Sequence, residues 1–284
     1  MMPEEFSCLM AVYSGDDAEW LREALESLDA QSRPASEVLL IEDGPISEEL
    51  TQVMEAFAGR LPLRRLRSEV RKGLGASLQR GLQACKYDLV ARMDADDVAA
   101  PSRFAVQVAE LEKEQATSVV GSWARVIDAS GVVVGERRYP VDNDDIKRAI
   151  WANPLIHSSV VYRRNDILRV GGYDERLPRR QDYDLWFRCA SAGLRFHNVP
   201  ETLIDYRASG KHGRRRIISD ALVHVRVGMK GASLLRLRAV ERMMIASPLV
   251  FALLPGKLGN GLRRLVSRWD PRQRDEARDK CEEC

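Results

Sequence analysis

Residues 88–97 read Asp-Leu-Val-Ala-Arg-Met-Asp-Ala-Asp-Asp, an apolar run followed by a cluster of carboxylates. The pattern predicts a buried strand over 88–93 and a polar loop after it. In an extended stretch residues two apart point the same way, so Asp94 and Asp96 can face one ligand together. Mg²⁺ and Mn²⁺ prefer such hard oxygen ligands and keep positions open for phosphate. The stretch predicts a divalent-cation site beside a diphosphate; the alternative is a loop that only caps a helix after Pro101.

Short apolar runs alternate with amphipathic stretches on the N-terminal side of this strand. We predict strands at 8–13, 38–41 and 63–66, and helices at 17–30, 47–58 and 74–82. Repeated strand–helix units favour an α/β fold with a mostly parallel sheet that helices cover on both faces. Because ligands bind at the carboxyl ends of the strands in such sheets, the loops after the strands are the candidate site.

Three of these loops carry acidic groups, at residues 13–16, 42–44 and 94–97. Carboxylates on adjacent strands repel one another unless a cation or hydrogen-bond donors are bound there, so their placement supports a metal site. Asp43 is either part of a Gly-Pro turn or an acceptor for a nucleobase. Residues 71–73, Arg-Lys-Gly, precede a helix and can bring backbone N–H groups to a phosphate, although their spacing matches neither a Walker loop nor GxGxxG.

The pattern changes after Pro101. We predict a helix at 101–114, antiparallel strands at 119–128 and 132–139 around a Gly131 turn, a helix at 145–151, a strand at 158–163 and a helix at 181–192. Beyond Tyr206 the chain becomes basic and helical, with fifteen Lys or Arg against three acidic residues over 211–274. A chain of 284 residues can bury one large core. We expect a main domain over 1–210 and a basic, mainly helical extension over 211–284.

The predicted helix at 181–192 begins Gln181-Asp182-Tyr183-Asp184. Asp182 either complements the positive end of the helix dipole or acts as a base that takes a proton from an attacking hydroxyl. The local sequence leaves both interpretations open.

Taken in order, these segments resemble the family 2 glycosyltransferases of the A-type fold, particularly the bacterial enzymes of exopolysaccharide, capsule and O-antigen assembly. The matching segments are MAVY at 10–13, LESL at 25–28, LIEDGP at 40–45, GLGASL at 73–78, ARMDADD at 91–97, NPLIH at 153–157, GGYD at 171–174 and QDYDLWFR at 181–188. The resemblance covers about 6–207. It implies a Rossmann-like mixed sheet and an enzyme, of the hexosyltransferase class, that moves a sugar from a nucleoside diphosphate sugar, with UDP favoured, to a saccharide or lipid-linked acceptor.

The resemblance also implies roles for individual residues. The donor site comprises Ala11, Val12, Tyr13, Asp43, Gly73, Asp94 and Asp96. Asp96 holds the Mn²⁺ or Mg²⁺ that bridges the two phosphates, and Asp97 and His212 are further candidate ligands. Asp182 is the base of a direct displacement that inverts the anomeric configuration, with the cation as Lewis acid for the leaving group. His157, Gln181 and Trp186 lie on the acceptor side, and Gln181 replaces the usual Glu.

Two other functions share several of these features. A sugar-phosphate nucleotidyltransferase would also combine a parallel sheet, a nucleotide and Mg²⁺, but residues 13–16 are acidic where a Gly-rich basic loop is expected. A nucleotide-sugar-binding protein without transferase activity is the second alternative.

The composition bears on partners and location. Forty-four basic against 42 acidic residues give a formal charge of +2, which argues against a nucleic-acid partner. The five cysteines are odd in number and three lie in apolar segments, which favours a reducing compartment. We find neither a secretory signal pattern nor an apolar stretch of about 20 residues. We therefore expect a cytoplasmic protein.

The basic extension intersperses arginines with apolar residues from 214 to 264. This pattern is compatible both with peripheral attachment to anionic lipid on the inner face of the plasma membrane and with a solvated helix face packed on the main domain, and it leaves the two open. Cys281 and Cys284 have the spacing of half a zinc site, but no second pair accompanies them.

Overall fold

The computed structural model describes residues 4–208 and 214–254. In this part of the chain nine strands form one sheet: β1 Phe6–Val12, β2 Glu37–Glu42, β3 Leu63–Arg67, β4 Leu89–Arg92, β5 Val98–Ala99, β6 Thr117–Ile127, β7 Val133–Arg137, β8 Val161–Arg163 and β9 Arg195–Arg207. The strand order is β3-β2-β1-β4-β8-β6-β9-β5, and β7 pairs with β6 outside this order.

The two halves of the sheet differ in strand direction. β1 pairs in parallel with β2 and β4, and β2 in parallel with β3. β8 runs antiparallel to both β4 and β6, β5 runs antiparallel to β9, and β6 and β9 are parallel. The predicted Rossmann-like mixed sheet is confirmed, and the carboxyl ends of β1, β2 and β4 meet at one edge.

The described helices are α1 Ala18–Asp29, α2 Glu48–Phe57, α3 Leu74–Ala84, α4 Arg103–Lys113, α5 Asn143–Arg148, α6 Arg164–Arg169, α7 Gln181–Ser191, α8 Arg214–Leu234 and α9 Ala239–Leu253. Side-chain caps start the first two: Asp17 accepts two backbone N–H bonds, and Ser47 accepts one. Short 3₁₀ turns at Ile150–Ala152 and His157–Ser159 replace the ends of a predicted helix and strand.

Buried side chains on both faces of the sheet explain the continuous apolar runs of its strands. In β1, Cys8 and Met10 pack into a core with α1, α2 and α4, whereas Leu9 points into a second core with α3 and α7. A strand buried on both sides needs apolar residues at successive positions. This explains why β1 and β2 were recognisable from sequence.

β9 is the largest element absent from the sequence prediction. It is 13 residues long and lies between β6 and β5. Its sequence does not alternate cleanly and contains Pro200, which cannot donate to a ladder and argues against a central strand. The pairing with β6 is irregular at that point: Ser122 faces Val199, but the next residue, Trp123, faces Thr202.

The described part of the C-terminal extension forms helices α8 and α9, as predicted, and α8 packs on α7. A Cβ on Gly231 would lie 2.5 Å from Cε2 of Phe187 and nearer to two other ring atoms, so the helices approach closely. His224 stacks on Tyr183 with ring centroids 5.0 Å apart. The domain boundary at residue 210 stays a prediction. None of the described helices is both long and apolar enough to cross a membrane.

Candidate active site

Asp43 lies directly after β2, and its buried carboxylate is bound by the loop before α3. Oδ1 accepts a hydrogen bond from the backbone N–H of Lys72 at 2.7 Å, and Oδ2 accepts one from Gly73 at 2.9 Å. Gly44 has a φ of 87°, and a Cβ there would lie 2.9 Å from the backbone nitrogen of Arg71. Glycine therefore allows the two loops to approach, and Asp43 fixes their relative position.

The end of β1 forms the neighbouring wall. Ala11 and Val12 end the strand, and the Val12 carbonyl accepts the backbone N–H of Asp43 at 2.8 Å. Tyr13 follows, and the guanidinium of Arg71 lies over its ring, 4.1 Å from the centroid. The predicted donor residues of β1 and β2 thus lie together with the loop before α3.

Three aspartates follow β4, with ligand oxygens within 4.8 Å of one another. Asp94 is paired through Oδ1 with the buried guanidinium of Arg92. Asp97 is buried, and its Oδ1 accepts the backbone N–H of Arg207 at 2.8 Å. The carboxylate of Asp96 makes no hydrogen bond to any other residue that the structure describes. Of the three, Asp96 is therefore the carboxylate least committed to protein partners.

Burial, and then repulsion between carboxylates, raises the pKa values of Asp96, Asp97 and Asp16. Burial, followed by the charge of Asp94, raises the pKa of Asp96 to about 6. Burial raises the pKa of Asp16 to about 7, with further contributions from Asp96 and Asp94 and an opposing hydrogen bond from the Tyr13 backbone. The loops after β1 and β4 therefore deliver carboxylates to one small volume, as predicted from the strand ends.

The group of oxygens suits a hard divalent cation. A cation beside Asp96 would relieve the repulsion that raises its pKa, and carboxylates are the ligands Mg²⁺ and Mn²⁺ prefer. Asp94 and Asp97 lie close enough to contribute through oxygens not used by their protein partners. His212, predicted as a further ligand, lies outside the described residues.

Arg207, at the end of β9, ties this loop to the rest of the fold. Its Nε donates to the backbone carbonyl of Asp96 at 2.9 Å, and its Nη2 pairs with the carboxylate of Glu23. The same guanidinium lies 5.1 Å from the ring centroid of Trp20. Together with the backbone bond to Asp97, these contacts hold the acidic loop from the far end of the sheet.

Asp182 lies in the first turn of α7, half-buried. Its Oδ2 accepts a hydrogen bond from Nδ2 of Asn153 at 2.9 Å. Two non-glycine residues near Asp182 have left-handed backbone. Asn153, which binds Asp182, has a φ of 55°, and Arg180, which caps the start of α7, has a φ of 62°. Such conformations persist where surrounding contacts enforce them, which is common at functional sites.

The residues predicted on the acceptor side lie deeper. Nε2 of His157 is 2.9 Å from the hydroxyl of Tyr173, and its ring meets Trp186 edge-on at 6.3 Å. Trp186 is fully buried and Gln181 nearly so. Burial lowers the pKa of His157 to about 3, so its imidazole is neutral. His157, Tyr173 and Trp186 thus form one buried aromatic cluster.

Three residues of this region are not among the site residues predicted from the sequence: Asp16, Arg92 and Arg207. Asp16 lies in the acidic loop at residues 13–16, but the sequence pattern predicts no individual role for it. Arg92 is part of a strand and reads as an ordinary charged residue. Arg207 is 111 positions from its acceptor in the acidic loop, and no local pattern signals such a contact.

Comparison with known proteins agrees with this geometry. The model of glycosyl transferase family 2 matches residues 7–191. The chain is 36% identical over 214 residues to the amylovoran biosynthesis glycosyltransferase AmsE of Erwinia amylovora, a match that covers 74% of this chain and 79% of the relative. It is 31% identical over 216 residues to an Escherichia coli UDP-Gal:alpha-D-GlcNAc-diphosphoundecaprenol beta-1,3-galactosyltransferase, covering 75% and 77%.

Among solved structures, the fold is similar to S. aureus TarS 1-349 in complex with UDP-GlcNAc, with a TM-score of 0.64 at 16% identity; the match covers 86% of this chain and 70% of that one. It spans 43% of a longer TarS chain. The similarity supports the fold, and the family model and relatives supply the identity. The chain belongs to glycosyl transferase family 2 and is a glycosyltransferase.

Proposed function

We propose that the chain transfers a sugar from a nucleoside diphosphate sugar, with a UDP-sugar favoured, to a hydroxyl of a saccharide or lipid-linked acceptor in cell-surface polysaccharide assembly. The observation that carries the proposal is the carboxylate cluster after β4, at the same sheet edge as the loop bound by Asp43, with Asp16 interacting electrostatically with both. Relatives named for amylovoran biosynthesis and for a diphosphoundecaprenol-linked acceptor support the acceptor class. The UDP-GlcNAc complex of TarS supports the donor class.

In this proposal the ends of β1 and β2 bind the nucleoside. Tyr13 offers a partly exposed ring, whereas the Val12 side chain is buried and supports the site from the core. The oxygens of Asp43 keep lone pairs for base N–H groups beyond those used by the loop. Lys72 and Gly73 precede α3, and their backbone N–H groups are bound to Asp43. A phosphate would therefore be bound by the N–H groups of the first turn of α3 and by the Lys72 side chain. Asp94 faces the donor sugar.

Asp182 is the proposed base. Its carboxylate takes the proton from the acceptor hydroxyl while that oxygen forms a bond to the anomeric carbon; the bond from that carbon to the diphosphate oxygen breaks, and the nucleoside diphosphate leaves with its electron pair. Attack opposite the leaving group inverts the configuration. Asn153 donates to Oδ2 of Asp182 and orients Oδ1 toward the acceptor.

Asp96 is the principal ligand proposed for Mn²⁺ or Mg²⁺, with Asp97, Asp94 and His212 as further candidates. When bound, the cation supplies Lewis-acid stabilisation of the departing diphosphate. The residues around it exclude bulk water and fix the approach of the phosphates.

The base assignment is tested with Asp182→Asn. The purified chain is incubated with UDP-Gal, UDP-Glc or UDP-GlcNAc and synthetic GlcNAc-diphosphoundecaprenol, and UDP release and product are measured. We expect loss of turnover of at least about 100-fold with UDP binding retained, because a general base contributes roughly 10²–10⁴. Glu175→Gln, an exposed neighbour, is the control. Full turnover in Asp182→Asn would contradict the assignment.

The same samples separate the alternative functions. A binding protein would take up UDP-sugar without any transfer. A nucleotidyltransferase would instead release pyrophosphate from a nucleoside triphosphate and a sugar phosphate.

We also propose peripheral attachment to anionic membrane through α9 and its flanks. Val240, Met243, Val250 and Leu253 are between 49% and 64% exposed, and α9 carries its charged residues, Glu241 and Arg242, in its first turn and is mainly apolar from Met243 onward. A helix of this kind is normally buried in a core or in lipid. Arg238 at its start is exposed and pairs with Glu241, and the exposed Arg236 lies beside it; these cations favour lipid headgroups with negative charge.

Vesicle sedimentation tests the attachment. We expect the full chain to sediment with phosphatidylglycerol vesicles more than with phosphatidylcholine vesicles, and the Val240→Asp/Met243→Asp variant to lose this binding. Val134→Asp changes an equally exposed valine on β7 and should bind like the wild type. Equal loss in both variants would exclude α9 as the lipid-binding surface.

A further inference from the structure

Arg92, the last residue of β4, is fully buried beneath the carboxylate cluster. Its Nη2 donates to Oδ1 of Asp94, whereas its Nε and Nη1 have no hydrogen-bond partner among the described residues. The neighbouring buried Arg103 differs: its Nε, Nη1 and Nη2 donate to Gln107, to Met93 and to the Arg92 carbonyl. Arg92 therefore depends on one side chain, Asp94, for its interaction with the protein.

Three of the buried groups that interact with Arg92 carry no negative charge. They are the hydroxyls of Tyr162 and Tyr173, 3.3 Å apart, and the imidazole of His157, which contacts Tyr173. Burial raises the pKa values of both tyrosines and lowers that of His157, so all three are neutral near pH 7. Asp94 is the carboxylate that pairs with the buried guanidinium.

A buried cation requires a paired anion, because an uncompensated charge in the interior is strongly unfavourable. The pairing fixes Asp94 from below through Oδ1. Its side chain remains about one-third exposed, so Oδ2 can face the donor. Asp96, two residues further along, has no such partner and remains free to bind a cation.

We propose that Arg92 is a positioning residue for sugar transfer, which holds Asp94 through Oδ1 so that Oδ2 contacts the donor sugar while Asp96 binds the cation. The inference rests on the proposed function. The proposed function already assigns the donor sugar to Asp94 and the cation to Asp96; the inference adds that Arg92 fixes the orientation of Asp94.

The ion pair is tested without reference to activity. Melting temperatures are measured in EDTA for Arg92→Met, Asp94→Asn, the double variant and Asp96→Asn. We expect Asp94→Asn to lower the melting temperature more than the double variant does, because it leaves the guanidinium unpaired. Asp96→Asn, which removes a repelled carboxylate without a partner, should leave it unchanged or raise it. Equal decreases for Asp94→Asn and Asp96→Asn, or additive effects in the double variant, would overturn the pairing.

The positioning role is tested kinetically with Arg92→Lys, which keeps the positive charge and is therefore expected to disturb folding less than Arg92→Met. We expect kcat/KM for the UDP-sugar to fall by about 100-fold, with an unchanged Mn²⁺ activation constant, because a small misplacement of a positioning group has effects of this size. Asp96→Asn should instead raise the Mn²⁺ constant. A raised Mn²⁺ constant in Arg92→Lys, or wild-type kinetics, would overturn the proposal. Absence of transfer by the wild type would contradict the proposed function, whereas the melting temperatures judge the ion pair independently.

Discussion

Asp43 illustrates how one side chain can organise a binding surface. Its carboxylate binds backbone N–H groups of residues 72 and 73, so the loop before α3 is held against β2. We expect Asp43→Ala to lower the free energy of unfolding by about 1–3 kcal/mol, because two partly buried donors lose their acceptor. Urea denaturation measures this. Asp43→Asn keeps one acceptor oxygen and should lose less; an equal loss would show that the loop does not depend on these hydrogen bonds.

Asp16 predicts a particular pH dependence. Its pKa rises from 3.8 to about 7 on folding, so the folded protein keeps a proton that the unfolded chain has already released. The stability contributed by that proton is present in full below pH 3.8 and is lost as the pH rises through 7. We therefore expect the melting temperature of Asp16→Asn, measured in EDTA, to exceed that of the wild type by little at pH 4. The difference should grow up to pH 7 and stay constant above it. Glu26→Gln, at an exposed position of α1, is the control and should show no such trend. A gain independent of pH would contradict the assignment.

The residues that local pattern could identify are those whose chemistry depends on neighbours in sequence. Asp94 and Asp96 follow an apolar strand, and Asp182 begins an amphipathic helix, so each was predicted before the fold was known. Arg92 was not, because its role depends on a buried environment supplied by β8 and by a loop 80 residues further on. Burial of a charge is a property of packing and leaves no local signal.

At the scale of elements, the contact between α7 and α8 bears on the position of Asp182. Gly231 meets the ring of Phe187 on α7 so closely that a methyl group does not fit. We expect Gly231→Ala to lower the free energy of unfolding by about 1–3 kcal/mol through overpacking, despite the better helix propensity of alanine. Turnover should fall with it, because α7 carries the proposed base. Denaturation and UDP-release assays measure both.

Gly59→Ala provides the matched control, since a Cβ there meets nothing within 4 Å and the backbone has no positive φ. A loss of stability in Gly59→Ala as large as in Gly231→Ala would attribute the effect to the loss of glycine in general and not to the α7 contact.

The elements divide into those that sequence periodicity reveals and those that it does not. The first four strands and α1 to α4 were predicted to within a few residues, because each has one clear period and a cap or turn at its ends. The strands β5 and β9 were missed. β5 has two residues, too few for any pattern. β9 contains Pro200, and it is a strand because it pairs with β6, which is distant in sequence.

For the molecule as a whole, ligand binding should be visible as stabilisation. We expect UDP with Mn²⁺ to raise the melting temperature of the full chain, and UDP with EDTA to raise it less. A ligand that binds only the folded state stabilises it by mass action, by about 2.7 kcal/mol when its concentration is 100 times its Kd. Asp96→Ala should abolish the metal-dependent part. Glu49→Ala, on the exposed face of α2, should retain it; a wild-type response that ignores Mn²⁺ would remove Asp96 from the metal site.

The bonds made by Arg207 also constrain when a growing chain can become active. The acidic loop is synthesised early, yet its backbone is held by a residue 110 positions later, which in turn pairs with a carboxylate 184 positions earlier. A ribosome-bound chain that ends at α7 contains the loop and Asp182 but lacks this clamp. The contacts of the acidic loop with Arg207 therefore form only after β9 has been synthesised and has joined the sheet.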